Sequence, residues 1–499
     1  MLIQHVLEQR SCHVFVVVRS FPGVDASLVW TERITGSRVW NAISIDKPKR
    51  QGVCCRLDAE RPTCHALPTN RLFFNPLAVI EHVRTIYVNA GRMVHFDPAL
   101  GVEEQTYSSG KAIIVEGNEI THISDSYDVL DEFGIDLNDH EPQLDDVHVH
   151  DLAGQAVVPG LVDGHTHLLW SGDRSQEVAW RQEGKSYADI ASMGGGIRFT
   201  VEKTRNSSHD ALFALGYERL RTAMRTGTTH MEAKSGYGLS TDTELKLLDV
   251  MHRLNGVGHL PSIDPTWMGA HDTPSGMTRH AYHESLLSEQ LPAVVEQGIA
   301  RSADVFCEPG WFTLEESEDL LKASKASGLD LRMHVDEFVD GGGGALACSL
   351  GVDTADHAYH TTDDVRLEMK GAGVNTGFLP GTPYAMGDPW PDMEWMVEHD
   401  VPFTLATDFN PNCQTLSLPF MCSLMVQRCN LHPLKAIEAV SSSAAKTTPH
   451  PSGLPHGIIA QGAVANFNIV NGPNWEAMCL RPTGTPFSGT VLEGMYIAH

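Results

Sequence analysis

Between residues 159 and 446, short apolar runs alternate with segments of helical period eight times over. The runs fall at 161–167, 227–235, 262–271, 303–309, 330–338, 352–360, 373–384 and 401–411, each about the length of a buried strand. Helix starts stand between them: Thr313-Leu-Glu-Glu316 and Thr241-Asp-Thr-Glu244 have the spacing of a capping box, and Gly328 is placed to close the helix that Thr313 opens. Strand and helix alternating eight times predict an α/β fold, a (β/α)8 barrel of the TIM type, over residues 159–446.

The flanks have a different rhythm. Residues 85–89, 111–118 and 119–123, and again 457–470 and 489–497, alternate short β-like runs with Gly and Asn turns. The economical arrangement is a small β-sandwich formed jointly by residues 81–158 and 447–499, with the acidic stretch 124–151 as a solvated excursion. Residues 1–80 show no sustained helical or strand period. They read as an N-terminal extension of unknown role, either poorly ordered or an artefact of the choice of start site.

Charge narrows the partners. The 499-residue chain carries 36 Lys and Arg against 63 Asp and Glu, a net charge of -27, which repels nucleic-acid phosphates and anionic lipid. The first 80 residues hold ten of those basic groups and only six acidic ones, so the acidic excess belongs to the rest. No apolar run approaches the ~20 residues of a membrane span, and Val14-Phe-Val-Val-Val18 is too short for a signal peptide. A cytoplasmic protein acting on a small molecule is expected. The ten Cys lack paired metal spacing and read as reduced thiols.

Chemistry enters with His165-Thr-His167, at the end of the first strand. Residues i and i+2 of a strand face the same way, so both imidazoles reach one cation. His334 and Glu337 fall on the fifth strand, His357 on the sixth and Asp408 on the eighth, all toward the ends where such barrels keep their reacting groups. Three histidines and a carboxylate suit Zn²⁺ or Fe²⁺ and leave a position open for reaction. His148-Val-His150 repeats the spacing before the barrel begins and reads as a solvated strand face. Gly194-Gly-Gly196 and Gly341-Gly-Gly-Gly344 lack the Lys-Ser/Thr of a phosphate loop and read as mobile or tight loops on the active face.

The segment Pro159-Gly-Leu-Val-Asp-Gly-His-Thr-His167, with the later His, His and Asp, resembles the amidohydrolase superfamily. Gly172-Asp-Arg174, Gly184-Lys-Ser-Tyr187, Gly194-Gly-Gly-Ile197, Lys234-Ser-Gly-Tyr-Gly-Leu239, Gly269-Ala-His271 and Asp408-Phe-Asn-Pro411 resemble, within it, the imidazolonepropionase family. The similarity runs over roughly residues 85–475. It implies hydrolysis of 4-imidazolone-5-propanoate to N-formimidoyl-L-glutamate, in histidine degradation, by a homodimer. Binuclear members of the superfamily bridge their ions with a carboxylated Lys on the fourth strand. None stands in Ala303-Asp-Val-Phe-Cys-Glu-Pro309, so one metal is expected, on His165, His167, His334 and Asp408. Lys234, on the second strand, reads as a structural salt bridge or packing residue.

A divalent metal lowers the pKa of bound water from ~15.7 toward 7. On the resemblance, Asp408 accepts the water's proton, His357 stabilises the oxyanion and Glu337 serves the ring nitrogen, with the last two roles exchangeable. Glu337 could instead orient a ligand from behind. Arg174 is expected to clasp the substrate carboxylate, with Tyr187, Tyr237, His271 and Asn410 around the ring. Asn412-Cys413 departs from the family's Gly and small hydroxyl residue, leaving open whether Asn412 offers backbone or side chain. Two rivals stand beside this reading: a mononuclear deaminase of a nucleobase-like substrate, and a non-catalytic scaffold of the same fold.

Overall fold

The computed structural model describes residues 84–499 apart from 102–103, 138–146, 186, 388 and 482–483; at 187, 188 and 191, and in six strands before residue 66, it describes the backbone alone. The chain forms two compact units, Met1–Ile80 and Glu81–His499. In the first, strands from Gln4–Gln9 to Arg61–His65 pair antiparallel in chain order. A meander joins sequence neighbours through the backbone and needs no strict apolar alternation, in keeping with the lack of a sustained strand period in that stretch of sequence.

In the second unit, the N-terminal flank alone builds a four-stranded sheet in the order Glu119–Asp125, Lys111–Glu116, Arg84–Ala90, Val147–Asp151. Both flanks share the facing sheet, where Val157–Pro159 pairs with Phe467–Val470 and with Met93–Val94. Tyr87, Ile113, Val157, Phe467 and Val491 fill the space between them, so the core between the two sheets needs both flanks. The stretch read as a solvated excursion is ordered where it is described. Helix Ser126–Phe133 lays Val129 on Ile86, Val88 and Ala112, giving the four-stranded sheet a second buried face. His148 and His150 sit on the last strand of that sheet, His150 stacked on Tyr87 at 5.1 Å.

The barrel strands are β1 (Leu161–Asp163), β2 (Thr228–Lys234), β3 (Ser262–Ala270), β4 (Ser302–Cys307), β5 (Asp330–Val335), β6 (Thr354–His357), β7 (Asn375–Phe378) and β8 (Phe403–Leu405). They pair in parallel in chain order. Beyond β8 and β1 the ring is closed by Asp408 N–H to His165 O at 3.1 Å and His167 N–H to Phe409 O at 2.9 Å. Several strands stop earlier than the apolar runs suggest. Just past β5 and β8 and at the last residue of β6, Asp336, Asp408 and His357 turn the backbone to φ 48°, 47° and 66°, left-handed values that end the regular course of a strand and that non-glycine residues adopt at a cost. Metal-ligand candidates therefore stand at or beyond the ladder's end.

Thr313 makes its capping box, with the Glu316 N–H donating to its hydroxyl at 3.2 Å and its own N–H donating to Glu316 at 2.9 Å. The turn after that helix passes through Gly328 at φ 91°. Thr241 does not make one. Ser240 is the N-cap there, and Glu244 reaches past it to accept from the N–H groups of Gly236, Gly238 and Leu239 at 2.7–2.8 Å. Three amides outcompete one, and the loop after β2 is fixed by that carboxylate.

Arg332, fully buried on β5, braces the barrel below the site. It donates to Gly164 O at 2.9 Å, to the Thr448 hydroxyl at 3.1 Å and to Thr447 O, and so holds the carbonyl just before His165. Replacing it with Leu leaves the Gly164 carbonyl and the Thr448 hydroxyl without this donor and takes one of two cations from beside Asp264, which keeps Arg301 at 2.7 Å. The expected loss is about 3 kcal/mol or more in urea unfolding of the Arg332→Leu variant.

Candidate metal centre and its pocket

His165 and His167 leave the end of β1, His334 comes from β5, and Asp408 follows β8. One ring nitrogen from each of the three histidines lies within 4.8 Å of the other two, and His165, His357 and Asp408 form a second such group. Asp408 Oδ1 stands 3.6 Å from His165 Nε2 and 3.7 Å from His167 Nε2. All five side chains are buried.

Two carboxylates behind the rings decide which nitrogens face inward. His165 Nδ1 donates to Asp356 at 2.7 Å, and His334 Nδ1 donates to Asp304 at 3.0 Å. The Nε2 atoms of both rings are buried without a hydrogen-bond partner. Orphaned imidazole nitrogens are costly to bury unless something binds them, and a ring oriented through Nδ1 by a carboxylate is how protein metal sites present Nε2. The residues fit a divalent metal.

The electrostatics agree. Burial, with neighbouring positive groups adding to it, holds the pKa values of His165, His167 and His357 well below the ordinary value, so the rings are neutral and have lone pairs to give. Burial pushes Asp408 up to about 6, against the pull of His334 and of the Thr382 hydroxyl, which donates to Oδ2 at 2.9 Å. For Asp304, burial is outweighed by His334 and Lys234, and its pKa falls well below the carboxylate range. Lys234 is the salt-bridge residue it was read as, fully buried at 2.7 Å from Asp304 and 2.9 Å from Glu232.

A cavity of about 390 Å³ opens over this cluster. Arg174, Tyr237, His271, Glu337, Asn410, Asn412 and Cys413, all picked out in the sequence, line it together with His167, His334, His357 and Asp408. The Tyr187 side chain lies outside the described residues. His271 stacks on His167 at 4.9 Å, and its Nδ1 meets the Gly236 carbonyl at 2.9 Å, which makes Nδ1 the donor and leaves Nε2 as an acceptor. Glu337 Oε2 is 3.7 Å from His357 Nε2.

Two expectations change in detail. The Asn412 N–H is committed to Asn410 Oδ1 at 2.7 Å, so the backbone donor of Asn412 is used within the turn. Asn410 is itself a turn former, its amide donating to Asp408 O at 2.7 Å. Arg174 already makes a two-pronged carboxylate contact, but with Glu177 of its own chain.

Both glycine loops are tight, each drawn around a carboxylate. Gly196 N–H donates to Glu177 at 2.7 Å; Asp336 accepts from the N–H groups of Gly341, Gly343 and Gly344 at 3.0–3.1 Å. Glu308 does the same for the Glu337 loop, accepting from the N–H groups of residues 337–339 at 3.0–3.1 Å. The sequence reading missed these carboxylates, Asp304 and Asp356, and an aromatic wall of Phe306, Trp311 and Phe338 with ring centres 5.0–6.3 Å apart. Trp311 and Phe338 flank short loops after β4 and β5, and aromatics at strand ends were the available signal.

Among known proteins, no family model matches the chain. The imidazolonepropionase of Haloarcula marismortui is 38% identical over 370 residues, covering 74% of this chain and 85% of that protein. The imidazolonepropionase of Halobacterium salinarum is 34% identical over 413 residues, covering 82% of this chain and 96% of that protein. Among solved structures, a 5-methylcytosine deaminase from Klebsiella pneumoniae superposes with a TM-score of 0.61 at 14% identity, over 83% of this chain and 97% of that one. A Xaa-Pro dipeptidase superposes with a TM-score of 0.58 at 16% identity, over 83% and 100%. These two share the fold.

The carboxylates behind the rings make a measurable difference. Asp356→Asn keeps the size of the side chain and removes its charge, and metal affinity, read by competition with a chromophoric chelator, should fall about 10–100-fold. An unchanged affinity would mean that His165 is oriented by packing alone.

Proposed function

The chain belongs to the imidazolonepropionase family, and from that premise we propose that it opens the ring of 4-imidazolone-5-propanoate by hydrolysis, giving N-formimidoyl-L-glutamate in histidine degradation. The observation that carries the reading is the convergence of two unpartnered imidazole nitrogens and the Asp408 carboxylate at the base of a cavity whose wall includes Arg174. A propanoate arm offers that arginine a charged, two-pronged partner, whereas a neutral nucleobase offers only uncharged carbonyl and ring-nitrogen acceptors.

In this proposal His165, His167, His334 and Asp408 hold one divalent cation, Zn²⁺ or Fe²⁺, both of which accept imidazole and carboxylate. The cation supplies Lewis acidity that makes water nucleophilic near neutral pH. Asp408, its pKa raised by burial to about 6 and its Oδ2 hydrogen-bonded by Thr382, accepts a proton from the water as the water oxygen adds to the ring carbonyl carbon. His357 donates to the oxygen that gains charge. Glu337, 3.7 Å from His357, hydrogen-bonds the ring nitrogen and passes to it the proton that Asp408 took from the water, as the bond from that nitrogen to the carbonyl carbon breaks. Their contact allows the two roles to be exchanged. One water is consumed, its oxygen ending in the new carboxylate.

Around the ring, His271 Nε2 offers an acceptor and Tyr237, packed on His271 at 5.0 Å, a hydroxyl. Tyr187, Asn412 and Cys413 belong to the same proposed lining. Burial pushes the Cys413 thiol up to about 12, so it acts as a neutral surface. Among the described residues, no helix is long and apolar enough to cross a membrane. A cytoplasmic homodimer is proposed from the family, and sedimentation would read the assembly.

The test combines metal analysis with turnover of imidazolonepropanoate before and after chelation. Purified protein should contain about one metal per chain, lose turnover on chelation with its circular dichroism intact, and regain it with Zn²⁺ or Fe²⁺. Asp408→Asn should lower kcat by about 10³-fold or more, while Arg174→Ala should raise KM by about tenfold or more with metal content unchanged. Full turnover without metal, or ammonia release from nucleobases without turnover of imidazolonepropanoate, overturns the reading.

A further inference from the structure

Resting on the substrate reading above, we propose that Glu177 is the positioning residue that sets the carboxylate specificity of the pocket. It turns Arg174 into a donor with one fixed edge. Arg174 Nε and Nη2 donate to the two Glu177 oxygens, each at 2.8 Å, and both side chains are buried. An arginine has two edges that match a carboxylate, the Nε–Nη2 side and the Nη1–Nη2 end. Glu177 takes the first, so a ligand carboxylate meets the second.

Glu177 is itself held from two directions. Its Oε1 accepts from Arg174 Nε and also from Gly196 N–H at 2.7 Å, and Gly196 begins the helix Gly196–Asn206. A Cβ at Gly195 would fall 2.7 Å from that same oxygen, so only glycine lets the loop close over it. Burial disfavours the Glu177 charge, but the Arg174 contact and the Gly196 amide outweigh it and hold the pKa below its ordinary value. The carboxylate is therefore a fixed post between the loop after β1 and the glycine loop, and the arginine is aimed from it.

Two consequences separate this role from general bracing. The Arg174–Glu177 pair is close to neutral as a unit, so a ligand gains by geometric match to one guanidinium edge and little by bulk charge attraction. Toward a ligand carboxylate, moreover, Glu177 acts through Arg174: once the arginine is gone, that carboxylate has nothing left that Glu177 directs.

Glu177→Gln keeps the shape but places an amide NH₂ against a guanidinium NH, breaking one arm of the fork. We expect KM for imidazolonepropanoate, and Kd for the unreactive 3-(imidazol-4-yl)propanoate by calorimetry, to rise about tenfold, with kcat within about threefold and metal content unchanged. The Kd of 4-propylimidazole, which lacks the carboxylate, should stay within about twofold. In the Arg174→Ala background, adding Glu177→Gln should change KM by no more than about twofold. Glu177→Asp, which keeps the charge and shortens the reach, should fall between wild type and Gln, and carries the same test should the Gln variant fail to fold. Parallel weakening of both imidazole ligands, or a full tenfold loss persisting without Arg174, overturns the proposal and leaves Glu177 a loop brace. A wild-type protein that neither turns over imidazolonepropanoate nor prefers 3-(imidazol-4-yl)propanoate to 4-propylimidazole overturns the substrate reading instead.

Discussion

Two imidazole–carboxylate contacts, His165 with Asp356 and His334 with Asp304, are what the centre of this protein depends on. Each uses up Nδ1, fixes the tautomer and directs the Nε2 lone pair to a common spot. The carboxylates are affordable in the barrel interior only because cations are buried with them: Lys234 beside Asp304 and Glu232, Arg332 near Asp264. A lone buried carboxylate of this kind would protonate and cease to orient anything. The alternation of charge across β2, β4, β5 and β6 is thus a condition for the histidines at the strand ends to be held in one orientation and open on one side.

The same device recurs in the loops. Glu177, Glu244, Glu308 and Asp336 each gather backbone N–H groups from a turn on the active face. Turns rich in glycine expose amides that need acceptors, and here a carboxylate of the same chain supplies each acceptor. Wall residues such as Arg174, Tyr237 and Glu337 stand in or beside turns fixed in this way, and Tyr237 is anchored in the barrel core as well.

The sequence made the outline legible because its signals are local. Eight apolar runs in alternation with helical segments give the barrel, and Gly164-His-Thr-His167 at the first strand end gives the metal pair by alternation alone. His334, His357 and Asp408 follow from their place at later strand ends. What escaped is pairwise and distant. Asp356 lies 191 residues from the ring it orients and Asp304 lies 30 from its own, and inside apolar strands both look like interruptions. Glu177 stands three residues from Arg174, yet on a short helix it reads as a solvated charge. Glu244 has the capping-box spacing but makes a different contact, because three amides of the preceding loop lie within its reach. Strand ends were overextended at residues 336, 357 and 408 because left-handed backbone at non-glycine positions leaves no mark in an apolar pattern.

That the reacting groups stand on the last rungs of the ladder or just past it, while much of the cavity wall lies in the loops beyond, divides the molecule into a part that bears load and a part that is free to vary. Phe306, Trp311 and Phe338 shape the cavity from the last residues of β4 and the loops after β4 and β5, whereas the barrel closes through main-chain contacts at residues 165–167 and 408–409. Libraries aimed at the aromatic wall would therefore explore new ring sizes on an unchanged chassis, and a lineage could drift in what it digests without relearning how to fold.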